Sequence, residues 1–371
     1  MARIVILSRR GITHPLSGGA GRYIHEIFRR LTHIHSVTVL ADGGPNREPV
    51  EVIDGITYRH FPRAFLRATQ PIRYITEFAS KADVLIDNAD VAIPWLSPLF
   101  AKAPRITVIH QLVKEIFYRQ LPRPLSDLGF LVEPFLYRLY SQSNIVAASN
   151  STAQDLISFG IPRDKISVVT PGCAIVAQAP VRLSLRSPHS IGCVSRLVRY
   201  KGVEIGLRAF ARVVDRLPDA HLLVAGVGPC HVELQNLTDK LKLSKNVTFL
   251  GRISELSKFK LYGETRISIA PSQREGFGIS VIEANSVGTP VVGWNVPGLR
   301  DSIVDGTTGL LAPFPNEEMF ADHVMTLLTD DHEWNRLSEN ASKWAREHSW
   351  DKSAGRFEEL VERTLNASAN R

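Results

Sequence analysis

The sequence predicts an α/β protein: two tandem Rossmann-like, doubly wound domains facing a central cleft. Short continuous apolar runs rich in Val and Ile alternate with helical stretches along the chain. Such runs are what a parallel sheet buried on both faces requires. The alternation stops near residue 180, at the polar, proline-punctuated stretch QAPVRLSLRSPHS (178–190), and then starts afresh. That restart divides the chain into domains 1–180 and 181–350.

In the first domain the expected strands are RIVILS (3–8), SVTVL (36–40), DVLIDN (83–88), RITVIH (105–110), NIVAAS (144–149) and ISVVT (166–170). Helices are expected over 20–31 and 151–159. In the second domain the strands are SIGCVS (190–195), AHLLVAG (220–226), NVTFLG (246–251), RISIAP (266–271), PVVGW (290–294) and GLLAP (309–313). Doubly wound sheets bind ligands at the carboxyl ends of their strands. With two such domains, the cleft between them is the default site.

The bulk properties narrow the class. A chain of 371 residues, 44% hydrophobic and 22% charged, is long enough for two ordinary globular cores. Cys173, Cys193 and Cys230 contain no close pair, so neither a zinc set nor a disulfide framework is expected, as fits a reducing cytoplasm. No apolar run reaches membrane-spanning length, and MARIVILSRRG reads as a first strand rather than a leader. The net charge of +7 is uneven. Residues 1–180 hold 20 Lys+Arg against 14 Asp+Glu, and residues 181–371 hold 24 against 23. A basic half beside a neutral one suits an anionic surface, although the same excess also serves plain solubility.

Several loops carry candidate chemistry. PLSGGAGRYIHEI (15–27) sets Gly18, Gly19 and Gly21 before a helix, where backbone amides favour anions. Asp42, about twenty residues on, invites a dinucleotide reading. The spacing fails that reading. Nine residues separate the first strand from Gly18, and Arg-Tyr-Ile follows Gly21. VSRLVRYKG (194–202) brings Arg196 and Lys201 to a strand end, a planar fork and a mobile charge suited to a diphosphate. Taken alone, the pair also fits a solvated loop. In VAGVGPCHVELQ (224–235), Gly226 and Gly228 read first as turn glycines. His110 ends its strand; a lone His there is often structural, and its place at a carboxyl end leaves both readings open.

SQREGFGISVIEANSVGTPVVG (272–293) poses the sharpest question, because it holds two glutamates, Glu275 and Glu283. Glu275 falls in the loop after a strand, and Glu283 in the helix that follows. Were the whole span helical, they would be about 12 Å apart along the axis. That is too far for a shared proton or metal, and it suits two contacts on one extended ligand. Amides at Gly278–Ser280 would lie between them, aimed at phosphate. A nucleotide sugar has that order of parts: sugar, diphosphate, ribose.

The chain as a whole resembles the retaining glycosyltransferases of family 4, which have the GT-B architecture. The resemblance rests on Gly18-Gly19, His110, Ser195-Arg196 with Lys201-Gly202, Ala225 to Pro229, Phe249-Leu250-Gly251, REGFGISVIEANSVGTPVV and VPGLRDSIVDGTTGLL. It implies that Arg196 and Lys201 hold the donor diphosphate. Glu275 would touch the transferred sugar beside the amides of Gly276, Phe277, Gly278 and Ile279. Glu283 would bind the ribose hydroxyls, and Arg252-Ile253 would lie along the base. Gly18 and Gly19 would border the diphosphate, and His110 the sugar and acceptor. The helix 351–371 would cross back onto the first domain. VIHQLVKEIFYRQ (108–120) has no family-wide assignment, so the acceptor stays open.

The expected activity is therefore transfer of a hexosyl residue from a nucleotide-diphosphate sugar, with retention, to a hydroxyl of a lipid-linked or glycan acceptor. No Asp-x-Asp motif occurs, so no metal and no cofactor are expected, and no nucleic-acid partner. A nucleotide-sugar epimerase and a non-catalytic binding module are the alternatives. One further segment, YRHFPRAFLRATQPIRYI (58–75), mixes Arg59, Arg63, Arg67 and Arg73 with aromatics. A helix opened by Pro62 would put Arg63 and Arg67 on one face, suited to an anionic membrane. The alternative is an ordinary solvated helix. Docking there would place the protein peripherally on the inner face of the cell membrane.

Overall fold

The computed structural model describes residues 1–44, 47–60, 76–89, 94–174 and 186–369. The chain forms two compact units, Met1–Gly172 with Trp350–Arg371, and Cys173–Ser349. The first unit is built on β1 (Arg3–Arg10), β2 (Ser36–Asp42), β3 (Val50–Ile53), β4 (Ile56–His60), β5 (Val84–Ala89), β6 (Arg105–Ile109), β7 (Asn144–Ala147) and β8 (Ile166–Val168). These make an eight-stranded sheet in the order β3-β4-β2-β1-β5-β6-β7-β8. Every pairing is parallel except β3 with β4. Ile6 of β1 sits between Val39 of β2 and Ile86 of β5. All six residues of β5 are buried, as a central strand covered on both faces must be.

The second unit carries β9 (Ser187–Val194), β10 (His221–Ala225), β11 (Val247–Gly251), β12 (Thr265–Ala270), β13 (Val291–Trp294) and β14 (Gly309–Ala312). Its sheet is parallel throughout, in the order β11-β10-β9-β12-β13-β14. The chain builds outward from β9 on one side, then returns to build on the other from β12. Between β9 and β12 the winding reverses, the switch point at which doubly wound sheets open a ligand crevice. The core beneath is anchored by Trp294 against Phe320 at 4.4 Å and by Trp334, whose indole N–H donates to the Arg266 carbonyl at 2.6 Å.

Two expectations change, and a third falls largely outside the described residues. The hairpin β3–β4 was not anticipated, though its signal, Asp54-Gly55 between two alternating runs, is a strong turn marker. Tyr58–His60 of the basic segment belong to β4, with the Arg59 guanidinium 5.2 Å from the Phe78 ring. The helix expected from Pro62 onward, with Arg63, Arg67 and Arg73, lies outside the described residues. The stretch 178–190 is outside them up to residue 185, and its last four residues already form the start of β9.

The helix Trp350–Ala369 packs in the first unit. Phe357 is fully buried, edge-on to Phe28 at 5.0 Å. Arg30 pairs with Asp351 at 2.5 Å, and the Asn144 amide donates to Thr364 Oγ1 at 2.9 Å. Phe357→Ala should lower the stability of the first unit by about 3–5 kcal/mol through lost burial and a residual cavity. Denaturant unfolding followed by hydrogen exchange in β1 and β5 checks this; unchanged protection there would mean that the helix contributes little to the first core.

Candidate active site

The second unit brings Arg196, Lys201 and Glu275 together at the carboxyl ends of β9 and β12. After β9 the chain makes a tight turn over Arg199–Lys201, ended by Gly202 at φ +63°. A Cβ on Gly202 would sit 2.2 Å from the Pro271 carbonyl oxygen, so only glycine lets this loop lie against the loop after β12. The Gln273 amide donates to the Tyr200 carbonyl at 2.9 Å and ties the two loops together. Tyr200 is buried and supports both cations. Arg196 Nη2 donates to its hydroxyl at 2.5 Å, and Lys201 Nζ lies 5.3 Å from its ring.

Glu275 sits in the loop after β12, and Lys201 Nζ donates to its Oε1 at 2.5 Å. Ser272 Oγ donates to the same oxygen at 2.7 Å. The two charged side chains are 14% and 13% exposed, so the pair is partly screened from water yet open to a ligand. The backbone of Glu275 is held as firmly as its carboxylate. Its amide donates to the Pro297 carbonyl at 3.0 Å. Gly298, at φ +84°, leaves room for the Glu275 carbonyl, which a Cβ would approach to 2.2 Å.

Gly278, at φ +91°, starts the helix Ile279–Ser286, so Gly276 and Phe277 are not helical. The helical spacing expected from Glu275 to Glu283 therefore does not apply; only Ile279 onward is wound. Phe277 is buried against Cys173, Ile282 and Ala345. Glu283 is also buried, and its Oε1 accepts from Lys258 Nζ at 2.7 Å. Lys258 also reaches both oxygens of Glu255 at 3.0 Å. Arg252 is exposed and Ile253 half-buried just beyond β11. A Cβ on Gly226 would strike the Ser195 carbonyl, so this glycine seats the loop after β10 against the loop after β9.

In the first unit Gly18 caps the helix Gly19–Phe28 with extended backbone, and the space a Cβ would occupy at Gly18 is open. His110 follows β6. Its Nε2 lies 2.7 Å from Asn88 Oδ1, and Tyr23 meets its ring edge-on at 5.0 Å. The proton can be placed by following the chain of donors. Ser8 Oγ donates to the Arg10 carbonyl at 3.2 Å, so it accepts from Asn88 Nδ2 at 3.0 Å. Asn88 Oδ1 then accepts, and His110 Nε2 must carry the hydrogen. Burial lowers the imidazole pKa to about 4. At neutral pH His110 is thus an uncharged ring with Nδ1 as its lone-pair side.

The sequence reading overlooked Tyr200, Ser272, Lys258 and Asn88. Only Asn88 had a visible signal, as one of two polar residues, Asp87 and Asn88, that follow the apolar run Val84-Leu85-Ile86.

Residues 183–344 match the model for glycosyl transferases group 1, and residues 17–175 match that for glycosyltransferase family 4. Among curated relatives, the D-inositol 3-phosphate glycosyltransferase of Corynebacterium aurimucosum is 30% identical over 72% of this chain and 68% of its own. The GDP-mannose-dependent alpha-(1-6)-phosphatidylinositol monomannoside mannosyltransferase of Mycolicibacterium smegmatis is 25% identical over 94% of this chain and 95% of its own. Among solved structures, sucrose-phosphate synthase from Thermosynechococcus elongatus superposes with a TM-score of 0.81 at 19% identity, covering 99% of this chain and 100% of that one. Anabaena HepE in complex with UDP and glucose gives 0.78 at 18%, covering 98% and 100%. The chain belongs to the group 1, family 4 glycosyltransferases. Its two Rossmann-like parallel sheets match the GT-B architecture.

Two outcomes follow from this geometry. Gly298→Ala should push the Glu275 loop out of place and lower glycosyl transfer on the order of 10²-fold, with little loss of donor affinity. Steady-state kinetics check it, and wild-type turnover would show that the loop tolerates the shift. For His110 the folded pKa lies below the unfolded value near 6.5. Its neutral burial therefore stabilises fully above pH 6.5, and that contribution declines as pH falls toward 4. NMR of labelled histidine should show the His110 ring neutral down to pH about 5; titration near 6.5 would place it in water.

Proposed function

We propose that the protein is a retaining hexosyltransferase that uses a nucleotide-diphosphate sugar and delivers the sugar to a hydroxyl of a lipid-linked or glycan acceptor. The observation that carries this reading is the convergence of Arg196, Lys201 and Glu275 at the β9/β12 crevice, with both cations supported by Tyr200. Arg196 and Lys201 serve the diphosphate, on which negative charge grows as the sugar leaves. Glu275 faces the transferred sugar beside the amides of Gly276 to Ile279. Glu283 serves the ribose, and Arg252-Ile253 the base. Gly18 and Gly19 border the diphosphate. His110 offers Nδ1 as a neutral acceptor on the sugar and acceptor side.

The C1–O bond to phosphate breaks as the acceptor oxygen bonds to C1 on the same face. The acceptor's hydroxyl proton passes to the departing phosphate oxygen. The two cations and the helix-end amides take the electrostatic load that a metal carries in other transferases, so no divalent ion is assigned. The curated relatives act, by their names, on inositol 3-phosphate and on a phosphatidylinositol monomannoside, which favours a phosphoinositol acceptor, free or as a lipid headgroup. A cytoplasmic protein seated peripherally on the inner face of the membrane fits that acceptor.

Incubation with a panel of nucleotide sugars, with product analysis by NMR, tests the reading. One donor should be hydrolysed slowly without acceptor and transferred with retained anomeric configuration when acceptor is present. Glu275→Gln, Arg196→Ala and Lys201→Ala should each cut turnover on the order of 10²-fold or more while the fold persists. A chelator should change little. Near-normal turnover in Glu275→Gln, or a strict need for a divalent ion, overturns the assignment.

A further inference from the structure

The helix Leu125–Arg138 is inside out. Its buried stripe holds Ser126, Glu133 and Tyr137, whereas Leu125, Leu128, Leu131, Val132, Phe135 and the adjoining Leu139 are exposed, Leu131 to 65% and Phe135 to 63%. At 3.6 residues per turn those six side chains fall within roughly 120° of arc. A surface helix ordinarily turns that arc toward the core. Of the twenty-one large apolar side chains exposed among the described residues, nine lie between 118 and 139, so this is one patch and not scattered exposure.

The inverted orientation is fixed by polar contacts. The buried Glu133 carboxylate accepts the Val113 amide at 2.6 Å and the Lys114 amide at 2.8 Å. Turning the leucines inward would carry Glu133 out to solvent and strip both amides of their partner.

Cations border the patch. Arg123, with its side chain 81% exposed, and Arg119 precede the helix, and Arg138 closes it with its guanidinium 5.5 Å from the Phe135 ring. Against these three arginines the same stretch carries one acid outside the buried face, the half-buried Asp127, 4.0 Å from Arg123. No described helix is long and apolar enough to cross a membrane. A fourteen-residue helix with an apolar face and an arginine rim instead suits the plane of an anionic bilayer, with its leucines at the acyl boundary and its arginines at the phosphates. A second copy would set the same arginines against one another.

We propose that this helix and the turn before it form a surface by which the protein docks on anionic membrane. The inference rests on the proposed function only in that a lipid-borne acceptor gives docking a purpose.

The test uses the full chain and vesicles of phosphatidylcholine with or without phosphatidylglycerol. The wild type should sediment with the anionic vesicles and be released as salt rises. L128E/L131E/F135E should lose binding by on the order of tenfold per side chain, yet hydrolyse donor in solution as the wild type does. R119E/R123E should weaken binding to anionic vesicles alone. Undiminished binding by the leucine variant overturns the proposal and moves the docking surface elsewhere. A wild type that stays in the supernatant at low salt overturns it too. So does light scattering that shows a dimer dissolved by L128E/L131E/F135E. Donor hydrolysis reports on the proposed activity independently of all these outcomes.

Discussion

A parallel sheet covered on both faces has room for polar chemistry only where its strands end. Both units obey that constraint. In the second, the winding reverses between β9 and β12, and the three charged side chains that converge there hang from the loops after those strands. Arg196 and Lys201 come from the first loop and Glu275 from the second. In the first unit Asn88 closes β5 and His110 follows β6, so the neutral imidazole and its orienting amide stand at neighbouring strand ends. The chemistry is placed by topology before any individual contact is made.

The ion pairs then set what each carboxylate can do. Lys201 and Glu275 are close and keep a small exposed edge, so an arriving anion can reach the lysine beside its partner. Lys258 and Glu283 are nearly closed off from water. Lys258 is held by Glu255 as well as by Glu283, which makes that second pair a fixed wall rather than a mobile contact. A ligand hydroxyl meeting Glu283 would therefore meet a carboxylate already neutralised and immobilised. That arrangement suits recognition of a neutral polyol better than recognition of a cation.

Much of this was legible in the sequence because continuous Val- and Ile-rich runs have one stable use at this length. The expected strands lie within a few residues of those observed, and the loops that follow them hold the residues first singled out. The hairpin β3–β4 escaped because its strands are short and its Asp54-Gly55 turn was not weighed. The partners of Glu283 and His110 escaped for a different reason. Lys258 and Asn88 lie more than twenty residues from the groups they hold, and no spacing rule joins separate elements. The helix Leu125–Arg138 shows the limit most plainly. Periodicity reveals that one face is apolar, but not which face points inward, and here two backbone amides on Glu133 decide it.

The first unit takes its last helix from the far end of the chain. Residues 350–369 leave a ribosome only after the whole of the second unit has been made. Phe28 then waits for Phe357, and Asn144 for Thr364, across more than two hundred intervening residues. Domains usually fold in the order of their synthesis. Here the second unit is the one whose segment, Cys173–Ser349, is unbroken and free to fold as it emerges. The unit that begins the chain is completed last, and until then its uncovered apolar face must be kept from other chains.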